Sequence, residues 1–250
     1  MAIDGPGRYL SRGTSLAALT VAVLSLVYAV FYLFVAPSAQ RAGDVDAFFR
    51  SYLDHPTGMR VASLCLFVSG LLTTVVYAAL HATPGTLAPS PRTWILALGV
   101  VSGVATTAHG LADLIDTDKL AHAYGGGDAA TKAAAIVTHG TTSPVDPRGL
   151  ATFGIVGLVV FAFSRHLLPR SRFVGLLGQV LGVDMVLLFV ASAFSSTVAI
   201  LITGGLASVI LGPAWWVSVA RLLYRGDHLD IRRYGQVTGQ GEDPSRRIGG

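Results

Sequence analysis

The stretch GVVSGVATTAHGLADLID, residues 99–116, decides how the rest of the chain is read. Gly99, Ser102, Thr106, His109, Asp113 and Asp116 follow one another in steps of three and four, which places all six on one stripe of one helix. The other faces are mostly Val, Ala, Leu and Ile. A helix that is apolar on most sides, yet bears hydroxyls, an imidazole and two carboxylates along one seam, fits a membrane bundle with that seam turned away from lipid.

Composition agrees with that reading. Of 250 residues, 52% are hydrophobic and 13% charged, against roughly 25% charged in soluble domains, and mean hydropathy is +0.60. The chain reads as an integral membrane protein whose first partner is the lipid bilayer. Its net charge is +4, but the basic residues gather at the ends of apolar segments, as membrane topology requires. No basic helix or aromatic-interleaved patch stands apart from those flanks, so nucleic acid is not an expected partner. Cys65 is the one cysteine; it rules out an internal disulfide and any cysteine-based zinc or iron–sulfur site within one chain.

Working outward from the seam, six spans are expected. A polar lead, residues 1–14, precedes an apolar run over 15–35 that is long enough to cross ~30 Å of hydrocarbon. It is longer than a signal-peptide core, and Pro37 spoils the 36–39 stretch as a cleavage site, so an uncleaved span is expected. Between Gln40 and Arg60, Val45, Phe48, Phe49, Tyr52 and Leu53 fall at helical spacing opposite Asp46, Arg50 and Asp54. That pattern predicts a short amphipathic helix, lying on the membrane surface or packed on the bundle as a loop helix. The second span covers 59–80 and closes on His81, with Pro84 and Gly85 turning the chain. The polar span runs from Trp94 to Ile115. A long connection to Gly149 follows, with the 125–127 glycine run, a small helix over 128–137 and a 144–147 turn. The fourth span covers 150–163 and extends toward Leu168. The apolar stretch 173–220 is twice the length of one crossing and must fold back, with Ser192, Ser195, Ser196 and Thr197 as the turn, giving spans over 173–194 and 197–220. Pro213 is expected to kink the last span, and Trp215 and Trp216 to mark its interfacial end. The fold class is therefore all-α: a polytopic membrane helix bundle over 15–224, followed by a polar tail, 225–250, expected to be disordered.

The lead, the second-to-third and fourth-to-fifth connections and the tail carry twelve of the 18 Lys and Arg. The other side has only Arg41, Arg50, Arg60, Lys119, Lys132 and Arg148. Both termini are expected to be cytoplasmic, in a multi-pass cell-membrane protein. No repeat marks inverted halves.

The run Asp146-Pro147-Arg148-Gly149-Leu150-Ala151 before the fourth span carries a likeness, as does Leu211-Gly212-Pro213-Ala214-Trp215-Trp216 with Arg221-Leu222-Leu223 at the end of the sixth. Over residues 10–225 the chain resembles a family of six-span bacterial membrane proteins of unknown function, common in high-GC organisms of actinobacterial type. The resemblance implies a bacterial cytoplasmic membrane and carries over no catalytic residue or ligand.

Depth selects the polar residues able to meet. His109 lies ~22 Å along its helix from Trp94, while Asp113 and Asp116 reach the interface. Asp184 lies ~16 Å from Phe173, near mid-membrane, where an aspartate costs about 2.5 to 3.5 kcal/mol to insert. Gly175, Gly178 and Gly182 form a small-residue face opposite it, suited to close packing against a neighbour. Tyr28, His109 and Asp184 fall at similar depths and, with Gln179, are expected to line one polar pocket, or a proton path opening through Asp113 and Asp116. With Ser102 and Thr106 they make up the candidate site. His81 lies at the other end of its span, which argues against a haem held between it and His109. No lysine lies inside a span for a retinal Schiff base, and the acidic outer connections carry no recognised metal-ligand spacing. There is no G-x-S-x-G, H-E-x-x-H or P-loop. Three functions remain open: a bundle that binds a lipid, a small apolar ligand or a membrane partner subunit; a proton-coupled transporter using His109 and Asp184; and an integral membrane enzyme acting on a lipid or isoprenoid-like substrate. Neither a catalytic residue nor a cofactor is assigned by the sequence.

Overall fold

Each apolar run becomes a helix bounded by the residues its ends require, and a computed structural model describes them over residues 6–32, 44–83, 86–140 and 146–238. The helices are α1 (Pro6–Val30), α2 (Val45–Asp54), α3 (Thr57–Ala82), α4 (Pro89–Gly126), α5 (Ala129–Gly140), α6 (Val156–Leu167), α7 (Arg172–Ala193), α8 (Thr197–Gly205) and α9 (Gly212–Thr238). Short polar side chains cap several of them: Asp44 accepts from the Ala47 amide at 2.9 Å, Asp128 from Thr131 at 2.8 Å and Ser171 from Val174 at 3.3 Å. Widened helical turns lead into α6 at Leu150–Ile155 and join α8 to α9 at Leu206–Leu211. The second lies just before Pro213, whose ring removes one helical N–H and crowds the preceding turn; the helix widens there and continues.

Among the described residues, six stretches are long and apolar enough to cross a membrane: Arg12–Val30, Thr57–Ala82, Pro89–Gly126, Leu150–Leu167, Arg172–Ala193 and Thr197–Arg225. Leu16, Leu64, Val104, Leu158, Phe173, Leu176 and Ile202 are all exposed on their surfaces. In water so continuous an apolar surface would be a liability; against lipid it costs nothing. The protein is an all-α integral membrane bundle.

Small residues set the tightest contacts. Gly70 on α3 and Gly103 on α4 face each other so closely that a Cβ on Gly70 would come within 2.6 Å of the Gly103 carbonyl oxygen. A Cβ on Gly157 would come within 2.7 Å of the Gly182 carbonyl. Gly178 abuts Ser164 and Trp215, and Gly175 abuts Leu168. The 175–178–182 glycine face thus packs closely against α6 and α9, as the sequence predicts. The main core lies toward the end holding the termini, where Trp215, Tyr77, Phe163, Leu80 and Leu167 are fully buried. There Ser15 donates to the Ala220 carbonyl at 2.9 Å, tying α1 to α9. His166, read from sequence as part of a basic group, is buried: its Nδ1 accepts from the Leu87 amide at 3.0 Å and its Nε2 donates to the Thr83 carbonyl at 2.9 Å.

Two helices, α4 and α9, run past their expected ends, and α2 takes the packed one of its two expected settings. The polar helix runs past Ile115 to Gly126, making α4 ~57 Å long, well beyond the ~30 Å of hydrocarbon. Its extension buries Ala121 and Tyr124 while keeping Lys119 and His122 in water, so ending the helix at the membrane would gain nothing. Phe48, Phe49 and Tyr52 on α2 pack with Met59, Ala121, Tyr124 and Ala135 into a second core, so protein rather than lipid covers the apolar face of that helix. Helix α9 continues to Thr238, beyond the boundary expected at Arg225. The end of the first apolar run at 33–35, the 36–39 stretch, the Pro84-Gly85 turn, Pro144 and the last part of the tail, 239–250, lie outside the described residues.

Candidate functional site

His109 and Asp113 are one turn apart on α4, which brings their side chains together. His109 Nε2 lies 3.3 Å from Asp113 Oδ2, and Nδ1 lies 3.2 Å from Asp146 Oδ2, so the ring is held between two carboxylates. Asp146 is the residue that sequence reasoning missed as part of the site. Its side chain is 0% exposed, and its two oxygens accept from the Ala151 amide at 2.7 Å and the Thr152 amide at 3.0 Å. It therefore caps the fourth span and orients His109 at once. Burial works against its charge, but the hydrogen bonds from His109 and from the turn residues Ala151 and Thr152 outweigh that and hold the carboxyl below the usual carboxylate range.

The turn that aims Asp146 is bent by two consecutive left-handed residues, Arg148 at φ 58° and Gly149 at φ 74°. For Gly149 that conformation is cheap; for Arg148 it is strained. Arg148 is held by its guanidinium, whose Nη1 donates to Ser195 Oγ at 2.6 Å in the α7–α8 turn. An Asp followed by Pro and Gly ahead of an apolar run is the sequence signal that could have found this cap.

The rest of the seam divides. Ser102 donates to the Gly99 carbonyl at 3.0 Å and Thr106 to Ser102 at 2.9 Å, so both hydroxyls are satisfied within α4. Asp116 is exposed and stands apart from His109. Gln179 donates to the Gly175 carbonyl of its own helix at 3.3 Å. Asp184 is 6% exposed and its Oδ2 has no hydrogen-bond partner among the described residues. Of the four residues expected to share one pocket, Tyr28 lines the central cavity, whereas His109, Gln179 and Asp184 are not on its wall.

That cavity, of about 120 Å³, lies among α1, α3, α4, α6, α7 and the widened turn before α9. Leu24, Leu66, Phe153, Val156, Leu181, Met185 and Trp216 give it an apolar wall, and Ser25, Tyr28, Ser69, Thr106, Thr152 and Ser208 add hydroxyls. Successive spans run in opposite directions, so Tyr28, Thr106 and Thr152 fall at the His109 end, while Val160 and Trp216 fall at the other. Thr152 is buried beside Asp146, to which its amide donates.

The acidic residues at the long connections serve structure. Asp46 pairs with Arg50 and accepts from Tyr124; Asp118 pairs with Arg60 and accepts from Tyr52 at 3.2 Å. His139 stacks on Phe48 with ring centroids 4.7 Å apart, and burial lowers its proton affinity. Among the described residues no three His, Cys, Asp or Glu side chains converge as a metal site. Comparison with family models, with curated proteins and with solved structures finds no match, so function rests on this geometry.

Proposed function

We propose that the chain is a multi-pass protein of the bacterial cytoplasmic membrane, both termini inside, that holds a lipid-like or small apolar ligand in its central cavity. The orientation rests on the excess of Lys and Arg at the end with the termini. The binding reading rests on one observation: an apolar-walled cavity of about 120 Å³ inside the bundle, with hydroxyls at the end that approaches the Asp113–His109–Asp146 array. An apolar cavity of roughly 150 Å³ holds benzene, so this one, at about 120 Å³, suits a short segment of hydrocarbon chain. Native mass spectrometry of the purified protein tests the reading. Wild type should retain an apolar molecule at fixed stoichiometry, and Ser69→Phe, which fills the cavity, should lose it. A bare wild-type protein, or equal retention by the variant, overturns the proposal.

A second reading, proton-coupled transport, is favoured by Asp184, a buried carboxylate with no partner for Oδ2. In proteoliposomes it requires substrate-dependent proton uptake that Asp184→Asn abolishes; uptake unchanged in that variant removes it.

A further inference from the structure

The way into the cavity, and with it the ligand's source, follows from which seams of the bundle are closed, an inference that rests on the cavity-binding reading above. Gly70 and Gly103 close α3 on α4, Gly157 and Gly182 close α6 on α7, and the contact of Asp146 with His109 ties α4 to the turn ahead of α6. The seam between α1 and α8 differs. Toward the end holding the termini, α1 meets α9 and the widened turn, with Val21, Ala207 and Trp216 in one core. Beyond that turn α8 packs against α7 and has no buried residue of its own; among the described residues no packed face joins it to α1. A Cβ on Gly205, where α8 joins the widened turn, would meet nothing within 4 Å. Ser25 and Tyr28 on α1 and Ser208 in the turn line the cavity and are only half-buried, whereas Val156 and Leu181 on its wall are buried.

The opening is held in place at both ends. The widened turn joins α8 to α9 at one, and at the other Arg148 Nη1 donates to Ser195 Oγ at 2.6 Å, fixing the turn ahead of α8 to the entry of the fourth span. Its depth identifies what fills it. The nine residues of α8 rise ~13 Å, close to half of the ~30 Å of hydrocarbon and so to the chains of one leaflet. A gap at that level faces acyl chains rather than water. No Lys, Arg, His, Asp or Glu lines the cavity, so a charged headgroup placed there would be desolvated with no counter-charge, and a hydrocarbon chain would not.

We infer that an acyl chain of a membrane lipid, from the leaflet opposite the termini, enters the cavity sideways between α1 and α8 while its headgroup stays at the interface.

The probe is a phosphatidylcholine with a diazirine on its acyl chain, photolysed in nanodiscs that hold the full-length protein, with the adducts placed by peptide mass spectrometry. Lipids surrounding the bundle should label Leu158 and Leu176, each 59% exposed, whatever the cavity contains. Label on Val156 and Leu181, 9% and 2% exposed, requires a chain inside. Wild type should carry both sets. Ser208→Phe, which plugs the opening, should lose the inner label and keep the outer one. Gly205→Phe serves should Ser208→Phe fail to fold, since Gly205 has room for a side chain. Inner label undiminished in the plugged variants overturns entry between α1 and α8. Label confined to the outer residues of a wild type that still retains a small apolar molecule in native mass spectrometry overturns the lipid chain and leaves the cavity-binding reading standing. Outer label alone, on a protein that retains nothing, removes both.

Discussion

Asp146 joins three things that a surface aspartate would keep separate: it caps the fourth span, orients His109 and remains charged while buried. Removing it leaves two amides and an imidazole without their acceptor, so Asp146→Ala should destabilise the protein by about 2 to 3 kcal/mol, read as a lower melting temperature in detergent. The pH dependence has a definite sign. A carboxyl held below its unfolded value stabilises the fold above that unfolded value, near pH 4, and the contribution is lost as pH falls through the lower folded value. Wild type should therefore lose stability below about pH 4 more steeply than Asp146→Asn; parallel curves would show that the charge contributes nothing. His109 was legible from sequence because the 3-4 spacing set it on the polar stripe. Its second carboxylate was not, because Asp146 is 37 residues away along the chain and helical periodicity reports only neighbours within one helix.

At the scale of elements, glycine decides how closely helices approach. Gly178 sits so near Ser164 and Trp215 that no side chain fits without displacing one of them. Gly178→Leu should cost about 1 to 3 kcal/mol by overpacking, seen as a lower melting temperature in detergent; an unchanged value would mean that α7 can shift freely. The 175–178–182 face was visible in the sequence because small residues at steps of three and four have one common use in a membrane. The covering of α2 was not. Its amphipathic pattern specifies an apolar face, and a lipid surface or the extension of α4 satisfies that face equally well. Only the length of α4, which carries Ala121 and Tyr124 out to meet Phe49, chooses between them.

For the whole molecule, the charge asymmetry makes a prediction about orientation. In a Cys65→Ala background, Ala134→Cys on α5 should react in intact cells with a membrane-impermeant maleimide, whereas Ser90→Cys at the start of α4 should react only after permeabilisation; the reverse pattern would invert the proposed topology. The sequence by itself determined that the protein is a six-span helical membrane bundle, since hydrocarbon thickness sets the length of each apolar run and leaves the backbone little choice but helix. It also determined that His109 and Asp113 share a face. The tertiary structure alone decided which polar residues meet across helices: it brought Asp146 to His109, left Gln179 bonded to its own helix and Asp184 apart, and set Thr106 and Thr152 on the wall of one cavity. The physical reason is that lipid holds every apolar face about equally well, so hydropathy fixes which segments cross but not how they are rotated. Rotation is set by close packing at Gly70, Gly103, Gly157 and Gly182, and that depends on the shapes of two helices at once.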